Sequence, residues 1–81
     1  MLTIYTATHC PVYSRTWNLV ARLHQHHPRI PMQVINLDDP NIEWPSFVIG
    51  TPTYVWNGRV IFLGNPSETD LISHLSRIQA V

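Results

Sequence analysis

The sequence predicts a mixed α/β fold: a βαβ unit followed by a β-hairpin and a C-terminal helix, with a mixed four-stranded sheet flanked by helices. Three observations predict it. A strand-like run over residues 2–7 gives way to a helical period over 11–27, and a second apolar run follows. Two further strand-like runs are separated by Asn57-Gly58, the strongest short hairpin signal. With 81 residues, the chain is expected to form one domain over 1–81.

The first strand and the first helix carry clear local signals. Residues 2–7 are rich in the β-branched and aromatic side chains typical of strands. From Pro11 to His27, apolar side chains recur at three- and four-residue spacing, as in an amphipathic helix. Pro11 suits the first helical position, because its missing N–H would be unpaired there. Pro28 disfavours helical geometry in the residue before it, so we expect the helix to end near His27.

A buried strand and a short helix are predicted next. Residues 32–37 are nearly apolar on both faces, as in a buried parallel strand. Asp38-Asp39-Pro40 has the composition of a helix start. Pro45 limits that helix to about one or two turns.

The C-terminal third predicts a hairpin and a helix. Residues 52–56 and 59–63 are expected to pair antiparallel across the Asn57-Gly58 turn. The last helix is predicted from Pro66 or Ser67 to about Ile78. Its predicted start has Asn65 as N-cap, Pro66 at the first helical position and Glu68 at the third.

Composition argues against several functional classes. Five basic residues balance five acidic ones, and no basic run with interleaved aromatic residues occurs, so we expect no nucleic-acid partner. The longest nearly apolar stretches are about five residues, far short of the roughly twenty that span a bilayer. The N-terminal residues lack an export signal, so a cytoplasmic location is expected. One cysteine excludes an intramolecular disulfide.

That cysteine, Cys10, is the candidate catalytic residue. It lies between the first strand and the first helix, where unpaired backbone N–H groups and the helix dipole favour a thiolate. A cysteine there can act as a nucleophile. The alternative is a small buried sulfur without chemistry, because cysteine is among the most buried residue types.

Four motifs occur in a characteristic order: Cys10-Pro11 after the first strand, Gly50-Thr51-Pro52-Thr53 before the hairpin, Asn57-Gly58-Arg59 at its turn, and Gly64 before the last helix. With them, nearly the whole chain resembles the thioredoxin-like superfamily in its short, glutaredoxin-sized form. The resemblance implies a thioredoxin-like fold with Cys10 as nucleophile and a cis Thr51–Pro52 peptide bond. It implies that the Thr51 backbone lies beside Cys10 and can pair with an extended peptide or with glutathione. The implied substrate-binding residues are Pro11, Tyr13, Thr51 and Pro52.

The motif also departs from the dithiol members of that superfamily. Three residues after Cys10, where they carry a second cysteine, this chain has Tyr13. The motif Cys-Pro-Val-Tyr therefore implies a monothiol thiol–disulfide oxidoreductase, whose mixed disulfide an external thiol must release. Glutathione or another low-molecular-weight thiol is the implied co-substrate, and a protein disulfide or a glutathionylated protein is the implied partner. The glycine pair that contacts glutathione in glutaredoxins appears here only as Gly64-Asn65, which weakens the expectation of glutathione binding.

A second function remains open. The chain could be a non-catalytic thioredoxin-like binding module or a small accessory subunit of a larger complex. Its three tryptophans, Trp17, Trp44 and Trp56, are candidate interface anchors, although most of them are expected in the core; Trp44 and Trp56 are the two whose positions allow partial exposure.

The histidines offer two further hypotheses. His9 adjoins Cys10 and, if protonated beside the sulfur, would favour the thiolate. The cluster His24, His26 and His27 at the end of the first helix is better explained by favourable contacts with the helix dipole than by a metal ion. No metal or other cofactor is expected.

Overall fold

The computed structural model describes residues 1–78 as a mixed α/β fold with a four-stranded sheet and two helices. The elements, in chain order, are β1 Leu2–Thr6, α1 Tyr13–His26, β2 Met32–Asn36, β3 Thr53–Trp56, β4 Arg59–Leu63 and α2 Glu68–Arg77. This order confirms the predicted βαβ unit, hairpin and final helix. Within residues 1–78, no helix combines the length and the apolar character needed to cross a bilayer.

The sheet is mixed, and β1 lies inside it. The strand order is β2-β1-β3-β4, with β1 parallel to β2 and antiparallel to β3. Leu2 is paired with Met32 on one side and Trp56 on the other. The parallel pair follows from the helical crossover, and the antiparallel pair of β3 and β4 follows from the tight turn between them.

The turn of the hairpin has the predicted geometry. Asn57 and Gly58 both have positive φ, at 48° and 83°, as a type I′ turn requires. The register then shifts between Tyr54 and Val55, which marks an irregularity in the pairing of β3 with β4.

One hydrophobic core unites both helices with the sheet. The apolar stripe of α1 is buried as predicted, and Leu19 and Leu23 have at most 1% of their surface exposed. The remaining buried members of this core come from α1, from the strands, from α2 and from the connection after α1: Leu2, Ile4, Val20, Ile30, Tyr54, Leu71 and Leu75. Burial of these side chains is the main source of stability for a chain without a disulfide.

Both helices begin later than predicted. Pro11 is not the first helical residue, because Val12 is the N-cap of α1 and Tyr13 is its first residue. The N-cap of α2 is Ser67, not Asn65. The Ser67 hydroxyl accepts a hydrogen bond from the Asp70 N–H at 3.0 Å, while Asn65 turns its side-chain oxygen toward the interior of the fold.

The short helix predicted after β2 is wrong. The segment from Leu37 to Pro52 contains turns and no helix. Local side chains bind its backbone instead: Asn36 Oδ1 accepts from the Asp38 N–H, and Asp39 Oδ1 accepts from the Asn41 N–H. Such bonds offer the backbone an alternative to helical pairing.

Candidate functional site

Cys10 lies in the turns that connect β1 to α1. Its backbone N–H donates to the Ala7 carbonyl at 2.9 Å, and its carbonyl accepts from the Tyr13 N–H at 3.0 Å. Its side chain is half-buried. These bonds hold the cysteine just outside the first turn of α1, at the end of an inner strand of the sheet.

The Thr51 carbonyl is the partner of the Cys10 thiol. Sγ donates to this oxygen at 3.4 Å, although the two residues are separated by 41 positions. The Thr51–Pro52 peptide bond is cis, as the resemblance implies. The loop is fixed on both sides of this bond, because Thr53 Oγ1 donates to the Gly50 carbonyl at 2.6 Å and the Gly64 N–H donates to the Pro52 carbonyl at 2.8 Å.

Two features of the fold lie beside the Cys10 thiol. The N-terminus of α1 has no side-chain cap and no acidic residue in its first turn, so its partial positive charge is not offset there. The Thr51 carbonyl accepts the hydrogen bond of the thiol.

The implied substrate-binding residues differ in their exposure to solvent. Pro11 is exposed, Thr51 and Tyr13 are half-buried, and Pro52 is buried. The Tyr13 ring lies edge-on to Trp17, with the ring centroids 6.4 Å apart. In the part of the chain that the structure describes, the Tyr13 hydroxyl forms no hydrogen bond with Sγ.

His9 binds a carboxylate. Its Nδ1 lies 2.7 Å from Asp38 Oδ1, and its backbone N–H donates to Asp38 Oδ2 at 2.9 Å. The backbone N–H of His9, followed by its ring, lowers the pKa of Asp38. With its Nδ1 bound to this carboxylate, His9 links the cysteine turn to the end of β2.

A buried polar cluster lies behind the first turn of α1, and the sequence did not predict it. Asn65 Oδ1 accepts from Thr16 Oγ1 at 2.9 Å and from the Tyr54 hydroxyl at 2.7 Å. Burial raises the pKa of Tyr54, so its hydroxyl keeps the proton that it donates. The partners are 49 and 11 residues from Asn65, and no local pattern in the sequence signals such contacts.

Four large apolar side chains are exposed in the segment that leads to Thr51. We call residues 42–49 the apolar loop. Ile42, Trp44, Phe47 and Ile49 are exposed by 39%, 45%, 46% and 81% of their surfaces. The partial exposure predicted for Trp44 is thus confirmed, and its indole N–H donates to the Val48 carbonyl at 2.6 Å.

The remaining tryptophans and the histidine cluster lie elsewhere. Trp56 is half-buried against the core, and Trp17 is 43% exposed on α1. His26 Nδ1 lies 2.8 Å from Glu68 Oε2, and His27 Nε2 lies 3.8 Å from the same oxygen. Residues 1–78 contain no group of three or more histidine, cysteine or acidic side chains placed to hold a metal ion.

The pair formed by Cys10 and the Thr51 carbonyl is thus the candidate site, and the apolar loop precedes Thr51 in the chain. No family model matches the chain, and no curated protein or solved structure is significantly similar to it.

Proposed function

We propose that the chain is a small thioredoxin-like protein that carries out monothiol thiol–disulfide exchange through Cys10. The observation that carries this proposal is the half-buried thiol, which lies 3.4 Å from the Thr51 carbonyl at the uncapped start of α1. The Cys10-Pro11 and Thr51-Pro52 motifs and the order of the elements give further support.

The exchange begins with loss of the thiol proton to water. The Cys10 thiolate attacks one sulfur of a disulfide, and a new S–S bond forms while the second sulfur leaves as a thiolate. The chain has no other cysteine, so a second molecule must release the mixed disulfide. A low-molecular-weight thiol such as glutathione, as its thiolate, attacks the substrate sulfur and frees Cys10. The external thiol replaces Cys10 in a disulfide with that sulfur, while the other half of the substrate has already left as a thiol, so the number of disulfides is unchanged. Where Cys10 attacks the glutathione sulfur of a glutathionylated protein, the protein leaves as its thiol and the second step forms oxidised glutathione.

The backbone of Thr51 gives the substrate a place to pair. In this proposal, an extended segment on one side of the substrate disulfide pairs with the Thr51 N–H and C=O, as an added strand does. Pro11, Tyr13 and Pro52 border that segment. Because the Thr51 carbonyl then accepts from the substrate, it no longer holds the thiol proton of Cys10.

The test compares the thiol in the fold with the same thiol outside it. We expect iodoacetamide to alkylate Cys10 at about pH 6.5 roughly tenfold faster than it alkylates a peptide of residues 7–13. We also expect the protein, with glutathione, to reduce a glutathionylated peptide, and we expect Cys10→Ser to abolish that turnover. Alkylation no faster than that of the peptide, without turnover, would contradict the proposal.

A binding module or accessory subunit is the second candidate. The exposure of Trp17 and Trp44, at 43% and 45%, favours it, because aromatic side chains anchor many interfaces. This candidate predicts that Cys10→Ser leaves association with a partner protein unchanged and that the wild type has no thiol turnover. The exchange function predicts that the wild type does catalyse thiol turnover. With either function, a cytoplasmic location stays part of the proposal.

A further inference from the structure

The apolar loop lies directly beside the candidate site. Ile49 precedes Thr51 by two residues, so their Cα atoms are at most about 7.6 Å apart. Ile49 is 81% exposed, the largest exposure among the large hydrophobic side chains described. Phe47 contacts Tyr5 of β1 with ring centroids 5.8 Å apart, and β1 is the strand that leads into Cys10. The apolar loop is therefore close in the chain to Thr51 and packs on the strand that leads to Cys10.

The loop is held by its own contacts. The Trp44 indole donates to the Val48 carbonyl at 2.6 Å, and the Val48 N–H donates to the Pro45 carbonyl at 3.1 Å. The Val48 side chain is buried, with 4% of its surface exposed. The loop backbone is thus anchored while the side chains of Phe47 and Ile49 face solvent. Such preorganisation lowers the entropic cost of binding.

The segment that contains the apolar loop carries acidic and no basic side chains, and one of these carboxylates, that of Asp38, is bound by His9. Residues 38–52 include Asp38, Asp39 and Glu43 and no lysine, arginine or histidine. Glutathione carries two carboxylates and one ammonium group, and its carboxylates find no cation in this segment. A polypeptide with apolar side chains meets no such repulsion and removes apolar surface from water on binding.

We propose that the apolar loop selects the substrate of Cys10: a disulfide-bonded polypeptide with apolar residues next to its cysteine, in preference to glutathione disulfides. The inference rests on the proposed exchange at Cys10 and names its substrate class. Ile49 and Phe47 are the specificity-determining residues. They contact the residues that flank the substrate cysteine, and Thr51 pairs with the backbone between them.

Three disulfides test this selection. Two are peptides of equal charge in which leucine or serine flanks a cysteine joined to a chromophoric thiol, and the third is glutathione joined to the same chromophoric thiol, so that all three release the same leaving group. Stopped-flow rates of Cys10 attack are measured for the wild type and for Ile49→Ser. The matched control is Val60→Ser, which changes a side chain 38% exposed beside the hairpin turn, at the opposite end of the sheet. Because Ile49 and Val60 are both exposed, each variant should fold, which circular dichroism and denaturant unfolding verify.

We expect the wild type to react roughly tenfold faster with the leucine peptide than with the serine peptide, and most slowly with the glutathione disulfide of the same chromophore. Ile49→Ser should remove most of the leucine preference and leave the other two rates unchanged, whereas Val60→Ser should change none of them. Equal rates for the two peptides, or an equal fall on all three probes in Ile49→Ser, would overturn the selection and leave exchange at Cys10 standing.

Two further outcomes also overturn the inference. If wild-type Cys10 attacks none of the three disulfides and iodoacetamide alkylates it no faster than it alkylates the peptide of residues 7–13, the exchange function fails. The proposed selection then fails with it. If the wild type sediments as a dimer and Ile49→Ser as a monomer, a second copy of the chain covers the loop in place of a substrate.

Discussion

The two helices of this fold begin in opposite ways. At α2, the Ser67 hydroxyl accepts the Asp70 N–H at 3.0 Å, and both Glu68 and Asp70 place carboxylates in the first turn. At α1, the N-cap is Val12, which forms no side-chain cap bond, and the first turn has no acidic residue. The backbone differs as well, because Ser67 is extended, with ψ of 156°, and Val12 has ψ of 17°.

The difference separates a helix start that is capped and charge-compensated from one that is neither. Two side chains from the C-terminal half of α1 and that of its C-cap, His27, surround Glu68, with Arg22 Nε at 3.3 Å and His26 Nδ1 at 2.8 Å as the nearest. The positive end of α2 is therefore offset by charge and hydrogen bonds. At α1 the positive end is not offset within its first turn, and the chain has its one cysteine just before it.

The largest effect on stability is expected at Asn65, which links the start of α1 to the segment before α2. Asn65 Oδ1 accepts from Thr16 of α1 and from the buried Tyr54 hydroxyl, and Asn65 lies two residues before Ser67. Asn65→Ala leaves both hydroxyls without that acceptor, so we expect a loss of about 2 kcal/mol of unfolding free energy in urea. Asn18→Ala, at an exposed position of α1, is the control and should change it by less than about 0.5 kcal/mol. Equal effects of the two variants would contradict this role of Asn65.

The cap of α2 gives the next largest effect. Ser67→Ala removes the acceptor of the Asp70 N–H and should lower the unfolding free energy by about 1 kcal/mol. Ser73→Ala changes an exposed serine in the body of the same helix, where alanine is the better helix former, and should not destabilise the protein. If both variants were equally stable, Ser67 would not act as the cap.

The same helix start shows how far the sequence could predict this fold. The apolar stripe of α2 is local, so its spacing predicts the helix and its buried Leu71 and Leu75. The cap is not decided locally, because Asn65 and Ser67 both have cap chemistry. Tyr54 and Thr16, distant in the chain, engage the oxygen of Asn65 and leave Ser67 as the cap.

The candidate site likewise contains one residue that local sequence predicts and one that it does not. Cys10 follows from local sequence, because a strand run ends and a helical period begins around it. Its partner Thr51 is 41 residues away and was implied by a resemblance, not by periodicity. The apolar loop was missed as a surface, because Asp38-Asp39-Pro40 just before it suggested a short helix that would run into it. The exposure of a side chain depends on what packs against its segment. Sequence predicts this packing through a periodic spacing of apolar residues, and the loop has no such spacing.

A charge placed at the start of α1 tests whether its N-terminus acts on the thiol. Val12→Asp brings a carboxylate to a position that now has no cap bond. We expect the rate of Cys10 alkylation at neutral pH to fall about threefold, because the carboxylate offsets the helix dipole and repels a thiolate. Val12→Asn removes the same apolar side chain without adding charge, so the ratio of the two rates isolates the charge. Equal rates for Asp and Asn would mean that the helix start does not act on Cys10.

The smallest effect is expected from the acid titration of Glu68 at the other helix start. The His26 hydrogen bond, followed by the charges of His26, Arg22 and His27, lowers the pKa of Glu68 below its ordinary value of 4.5. A carboxylate with a lowered pKa stabilises the fold above its unfolded value, and this contribution is lost as the pH falls through the folded value. The excess stability of the wild type over Glu68→Gln, followed by urea unfolding from about pH 6 to about pH 3, should therefore shrink toward zero on acidification.

The control for that titration is Glu43→Gln, which removes an exposed carboxylate from the apolar loop, outside both helices. If the Glu68 contribution depends on its contacts with α1, acidification should reduce the difference for Glu68→Gln more than the difference for Glu43→Gln. Equal curves would mean that the ion pairs of Glu68 with Arg22 and His26 add nothing beyond a solvated charge, as many exposed pairs do. The start of α2 would then owe its stability to the Ser67 cap, and its contrast with α1 would be one of hydrogen bonding and not of charge.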